Sequence, residues 1–163
     1  MEKGIIKEII LEQRKVFEKK EDMVVRDIPS NAVKTDKITV ITGIRRCGKS
    51  TLLRQIAEQY NEYNYINFED ERLLDFTFKD FNNLLEMFLD INPKARTFFF
   101  DEIQNIEGWE KFCRRLFTEK YKVFLTGSNA RLLSSEIATS LTGRNMRIEL
   151  YPFSFKEFLE YKK

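Results

Sequence analysis

Residues 38–57 read Ile-Thr-Val-Ile-Thr-Gly-Ile-Arg-Arg-Cys-Gly-Lys-Ser-Thr-Leu-Leu-Arg-Gln-Ile-Ala. Inside this stretch, Gly43-Ile44-Arg45-Arg46-Cys47-Gly48-Lys49-Ser50 matches G-x-x-x-x-G-K-[ST]. An apolar, β-rich run leads directly into the match and a helical pattern leads directly out of it, the context that gives such a string physical meaning. Glycines let the backbone curl so that successive N–H groups face an anion, and the helix N-terminus adds its partial positive charge. Gly43, Ile44, Arg45, Arg46, Cys47, Gly48, Lys49, Ser50 and Thr51 are therefore the candidate phosphate-contacting residues. In this geometry Lys49 reaches the β- and γ-phosphates of a nucleotide and the Ser50 hydroxyl ligates Mg²⁺.

Outward from the loop, apolar runs alternate with helical patterns: 38–42 then 50–60, 63–68 then 79–89, 96–100 then 110–118, 122–126 then 130–141, and 146–150 then 155–161. Five strands, each followed by a helix, predict a parallel α/β sheet. Thr97-Phe98-Phe99-Phe100 and Val123-Phe124-Leu125 are apolar on both faces, as a sheet covered by helices on both sides requires. Ahead of the sheet, apolar residues at helical spacing over 4–20 predict an amphipathic helix packed on the core. A short extended piece at 23–28 and a turn at Pro29-Ser30-Asn31 follow. The expected organisation is an N-terminal segment, 1–36, and a nucleotide-binding core, 37–163.

The strand at 97–100 runs into Asp101-Glu102. An aspartate at such a strand end holds Mg²⁺ and its water beside a phosphate loop, and the adjacent Glu102 is placed to polarise an attacking water as general base. The next strand ends Thr126-Gly127-Ser128-Asn129. C-terminal ends of neighbouring parallel strands face one crevice, so either Ser128 or Asn129 approaches the γ-phosphate, unless Asn129 serves as the N-cap of the helix that follows. Arg144 precedes the last strand; it is either a surface arginine or a guanidinium that stabilises the transferred phosphoryl group, in its own subunit or a neighbour. Arg45 and Arg46 touch phosphate, touch a partner, or are simply solvated.

Composition narrows the chemistry. The 163 residues, 42% hydrophobic and 33% charged, suit one globular domain. With no histidine and only two cysteines, Cys47 and Cys113, histidine-base mechanisms and the usual structural zinc sites are excluded. A net charge of +2 lends no support to nucleic-acid binding. No apolar run suits a membrane span and the N-terminus does not read as a signal peptide, so a cytoplasmic protein is expected. D-x-x-G, N-K-x-D and L-S-G-G-Q are absent, which disfavours guanine specificity and an ABC-type ATPase. A carboxylate directly after the metal aspartate favours ATP hydrolysis over phosphorylation of a small molecule.

With these residues in place, the chain resembles the AAA+ ATPases of bacteria and archaea whose ATPase domain precedes a family-specific C-terminal domain. The resemblance runs from about Ile38 to Phe158 and rests on five blocks: 42–53, 100–104, 125–128, 141–144 and 150–158. It implies a P-loop NTPase fold with a five-stranded sheet of order 5-1-4-3-2, ATP with Mg²⁺, Asp101 as the metal-linked residue, and Glu102 as the base. It also implies a sensor at the end of the fourth strand, and it gives Arg144 the location of an arginine finger, hence a homo-oligomer if the finger acts on a neighbour. Position 47 is often apolar in such loops; a cysteine there leaves a thiol that oxidation or alkylation could reach. The helical lid of AAA+ proteins does not follow the sheet here, so the chain is expected to be the N-terminal part of a longer protein. Its expected function is Mg²⁺-dependent ATP hydrolysis that drives or gates an attached C-terminal domain. The alternatives are a nucleotide-gated interaction switch with little turnover, binding ATP or ADP, and a DNA-associated ATPase.

Overall fold

The computed structural model describes residues 1–19, 24–26, 33–128 and 141–152. Among the described residues the strands are β1 (Ile38–Gly43), β2 (Asn64–Asn67), β3 (Thr97–Asp101), β4 (Lys122–Ser128) and β5 (Asn145–Leu150), and the α-helices with described bounds are α1 (Lys3–Phe17), α2 (Lys49–Ala57), α3 (Phe81–Ile91) and α4 (Trp109–Thr118). All pairings are parallel. The order is β2-β3-β4-β1-β5, which read from the other edge is the expected 5-1-4-3-2. The expected extended piece at 23–28 falls only partly among the described residues. The turn at 29–31, Asn129, all but the last residue of the helix expected over 130–141, and the helix expected over 155–161 lie outside them.

Side chains alternate across the sheet, and this alternation builds two cores. Ile38, Val40, Phe98, Phe100, Val123 and Leu125 face one side, under α1, α3 and α4. Ile41, Tyr65, Phe99, Phe124 and Ile148 face the other, under Leu52, Leu53 and Ile56 of α2. The phenylalanines of β3 and β4 are thus divided between layers: Phe99 stacks on Phe124 at 4.9 Å, while on the opposite face Phe81 of α3 stacks on Phe112 of α4 at 4.3 Å. At the β5 edge, Arg147 and Glu149 are partly exposed charges 3.8 Å apart, with Arg147 Nε donating to Thr42 Oγ1 at 3.0 Å, charges of the kind that discourage strand addition.

The helix expected over 79–89 begins later, at Phe81. The reason is local: the backbone N–H and the hydroxyl of Thr77 both donate to Asp80 Oδ2, at 2.8 and 2.9 Å. Together with the Asp80 N–H, which donates to the Thr77 carbonyl at 2.9 Å, these bonds turn Phe78–Asp80 into a short 3₁₀ segment before the α-helix starts.

α1 belongs to the core through Ile6, Ile9 and Ile10. It also closes the β2 edge. The Gln13 side chain donates to the Asn67 carbonyl at 3.1 Å and accepts from the Asn67 N–H at 2.7 Å, pairing that edge residue as another strand would. The same amide donates to Asp70 Oδ2 at 2.9 Å. Hydrogen bonds from Arg72, and then from Gln13, hold the Asp70 carboxyl well below the usual carboxylate range. Its stabilising contribution is therefore present above the unfolded-state carboxylate pKa and lost as pH falls through the depressed folded value. Asp70→Asn is expected to lower stability at neutral pH by no more than about 1 kcal/mol, given solvent screening of a partly exposed pair. Urea unfolding at pH 7 and at pH 3 checks this; the difference between wild type and variant should shrink at the lower pH.

Candidate functional site

The loop between β1 and α2 is shaped by two glycines. At Gly43 an added Cβ would lie 2.4 Å from the Leu150 carbonyl oxygen and 2.6 Å from Cys47 Sγ, so no larger residue fits without displacing the neighbouring strand or the loop. Gly48 caps α2 with φ +92°, in the left-handed region that glycine occupies without steric cost. Arg46 also has positive φ, +64°. Ile44, Arg45 and Arg46 point outward, and the Arg45 guanidinium, 84% exposed, lies 3.6 Å from Glu69. Cys47 is only 4% exposed and packs into the α2-side core. The expectation of a thiol open to oxidants is thereby corrected: the curl of the loop turns this small apolar side chain inward.

Lys49 opens α2 and is 5% exposed. Its ammonium donates to the Ile44 carbonyl at 3.3 Å and lies 3.4 Å from Glu102 Oε1. Asp101, 1% exposed at the end of β3, accepts from the Thr126 hydroxyl and from Ser50. Burial pushes its carboxyl up, against the pull of those two hydroxyls and of Lys49. A buried carboxylate of this kind favours a cationic partner. Glu102 takes φ +51°, rare for a residue with a side chain. That turn carries the chain out of β3 and brings the carboxylate back over the loop. Its N–H donates to Thr126 Oγ1 at 3.0 Å, and its Oε2 accepts from Gln104 Nε2 at 2.5 Å.

The structure thus brings Lys49, Ser50, Asp101 and Glu102 together at the C-terminal edge of the sheet. Ser128 ends β4 in register with Gly43, at that same edge. Asn129 lies outside the described residues. Thr51 is half-buried in the first turn of α2. Beside Ser50 and Thr51 a groove of about 480 Å³ opens between α1, α2 and the end of β2. Arg144 is elsewhere: its carbonyl accepts the Ile38 N–H at 2.9 Å, and the following Asn145 pairs with Ile38. That is the opposite edge of the sheet, a strand length of roughly 17 Å from Gly43 at about 3.3 Å per residue. The part of the expectation that had Arg144 acting in its own subunit is corrected, because a parallel β1–β5 pair puts the start of β5 beside the start of β1.

Among the described residues no group of three or more Asp, Glu, Cys or His side chains could hold a metal ion. The Ser50 hydroxyl and the Asp101 carboxylate nevertheless fit Mg²⁺, a hard cation that takes one or two protein oxygens and completes its shell with phosphate and water. Three contributors escaped the sequence reading. Thr126, bridging Asp101 and Glu102, looks like one more β-branched residue of an apolar strand. Gln104 acts only through the turn at Glu102. Arg26, 6% exposed, donates to the Cys47 carbonyl at 2.9 Å from a segment far upstream. A polar residue at a strand end next to the metal strand was the available signal for Thr126; Arg26 had none.

A family model described as "AAA domain" matches residues 35–159. An uncharacterized protein of Methanocaldococcus jannaschii is 44% identical over 162 residues, 98% of this chain and 36% of that protein. An uncharacterized protein of Haemophilus influenzae is 41% identical over 137 residues, 78% of this chain and 34% of its own length. The chain therefore spans about a third of the curated relatives it matches. Among solved structures, C. elegans PCH-2 aligns with 93% of this chain and 42% of its own, at 13% identity and a TM-score of 0.44. Among the described residues no helix is long and apolar enough to cross a membrane.

Proposed function

This chain belongs to the AAA domain family, and from that premise we propose that it binds ATP with Mg²⁺ at the Gly43–Thr51 loop and hydrolyses it. The observation that carries the reading is the convergence of Lys49 and Glu102, 3.4 Å apart, beside the Ser50–Asp101 pair. Phosphate oxygens arriving in the loop compete for the Lys49 ammonium, and the Glu102 carboxylate is then released to accept a proton from the attacking water. Gln104 holds that carboxylate in place through its second oxygen. Ser50 and Asp101 are the residues that would hold Mg²⁺, which supplies charge neutralisation at the β- and γ-phosphates. Ser128, at the loop edge, is the described candidate for sensing the γ-phosphate. Arg144, being at the far edge, is assigned to the site of a neighbouring copy.

The relatives are nearly three times as long as the part matched here, which supports a domain that drives or gates further attached structure. Turnover distinguishes work from gating. Many ATP molecules hydrolysed per protein supports the ATPase, whereas one turnover with ADP retained supports a nucleotide-gated switch. Absence of both binding and hydrolysis overturns the reading. A salt-dependent affinity for DNA would instead favour a DNA-associated ATPase.

Ser50→Ala tests the metal assignment. It is expected to weaken ATP binding about tenfold in the presence of Mg²⁺ and to leave binding in EDTA nearly unchanged, the loss of one oxygen ligand or hydrogen bond to a charged partner. Equilibrium titration with a fluorescent ATP analogue, with and without Mg²⁺, reads both values.

A further inference from the structure

The geometry points to Arg26 as the residue that aims the phosphate loop, a positioning residue acting through the Cys47–Gly48 peptide. Arg26 is charged yet 6% exposed, and it lies on the short segment 24–26, outside every strand and helix. The fold fixes where its side chain goes. Gln55 of α2 grips the segment from both sides, donating to the Val24 carbonyl at 2.7 Å and accepting from the Arg26 N–H at 3.2 Å. From that anchor Nη1 donates to the Cys47 carbonyl at 2.9 Å and Nη2 donates to the Tyr151 carbonyl at 2.7 Å. The guanidinium packs against Gly48: a Cβ built there would lie in ordinary contact with Nη1, at 3.4 Å.

The consequence follows from peptide geometry. The Cys47–Gly48 bond is trans, and in a planar trans peptide the carbonyl and the following N–H point in opposite directions. Holding the Cys47 carbonyl on a guanidinium behind the loop turns the Gly48 N–H toward the concave side, where phosphate is bound. The same contact polarises the peptide, so its N–H becomes a stronger donor to an anion. A loop without this anchor has to order that peptide at the moment of binding, and affinity falls. Through Tyr151, the guanidinium also ties the loop to the segment leaving β5, so that the aim of the peptide and the exit of the chain share one side chain.

The inference rests on the proposed nucleotide reading, and the experiment separates the two. ADP affinity is measured for wild type, Arg26→Met, Arg26→Lys and Gln55→Ala, together with the NMR shift of the Gly48 amide proton on addition of ADP. Arg26→Met is expected to loosen ADP by about tenfold to a hundredfold, the range for a lost charged hydrogen bond, and to reduce the downfield movement of the Gly48 amide. Arg26→Lys keeps one charged donor and is expected to recover most of the affinity. Gln55→Ala frees the segment without touching the guanidinium and is expected to loosen ADP about threefold, a typical neutral hydrogen-bond effect. If Arg26→Met does not fold, the Gln55→Ala and Arg26→Lys values decide. Wild-type affinity and an unchanged Gly48 shift in the variants overturn the role of Arg26 alone, as does failure of the lysine to improve on methionine. A folded wild-type protein that takes up no ADP overturns the nucleotide reading, and this inference with it.

Discussion

Lys49→Ala is expected to abolish ATP and ADP binding at micromolar protein concentration. The ammonium is nearly buried, at the first turn of α2, with the Ile44 carbonyl and Glu102 as its partners. It is therefore held in place before any phosphate arrives, and little side-chain entropy remains to be lost on binding. Two losses add in the variant. The direct charged hydrogen bonds to phosphate disappear, worth about 1.5–3 kcal/mol each. In addition, the Glu102 carboxylate is left facing the incoming phosphates without an intervening cation, and like charges a few ångström apart repel. The combined effect is a loss of at least about a hundredfold in affinity. Calorimetric titration with ADP and with ATP measures it. Retention of wild-type affinity by a folded variant would remove Lys49 from the phosphate site and with it the reading of the whole loop.

Glu102→Gln should behave differently. The amide matches the carboxylate in shape, so the positive-φ turn at 102 and the N–H bond to Thr126 need not change. In the wild-type protein Gln104 donates to Glu102 Oε2, and its own Oε1 is buried without a hydrogen-bond partner among the described residues. A flip of the Gln104 amide turns that oxygen toward the amide introduced at position 102 and keeps one hydrogen bond between the two side chains. ATP binding is expected to be equal to wild type or somewhat tighter, because Lys49 no longer has a carboxylate competing with phosphate. Turnover is expected to fall by about 10²–10⁴-fold, the contribution of a positioned general base. Single-turnover hydrolysis and nucleotide titration on one preparation separate the two effects. Undiminished hydrolysis would show that another group activates the water.

The two variants divide the site along a line visible in the fold. Lys49 and Ser50 are carried by the loop and helix that follow β1, whereas Asp101 and Glu102 arrive on β3. β4 lies between those strands in the sheet, and its Thr126 hydroxyl touches both acidic residues. This is why a residue with no motif of its own becomes a structural bridge of the site. Sequence shows which polar residues end a strand, Thr126, Ser128 and Asn129 alike, and only the sheet shows that Thr126 lies beside the acidic end of β3.

The turn at 43–50 was legible because its glycines, the strand before it and the helix after it are local features. Eight consecutive residues, with a strand before and a helix after, contain both the backbone curl and the charge that phosphate needs. The double-sided apolar strands were legible for a similar reason, since a continuous apolar run is a property of a short segment. Cys47 was not. Whether a loop side chain faces solvent or core depends on how tightly the loop turns, and here Leu150 of a strand remote in sequence limits the space at Gly43.

Arg144 and Arg26 mark the same boundary from opposite directions. Arg144 stands beside a recognisable Leu-Thr-Gly block, yet parallel pairing of β5 with β1 carries it to the edge away from the loop. Arg26 belongs to no motif, yet Gln55 and two remote carbonyls bring it beneath the loop. Residue order along the chain sufficed for the glycine-shaped loop between strand and helix and for the layered sheet, because both arise from contiguous residues. The tertiary structure alone decided which arginine hydrogen-bonds to the loop backbone and which hydroxyl joins the two acidic residues, because strand register and long-range packing bring together groups that are dozens of residues apart.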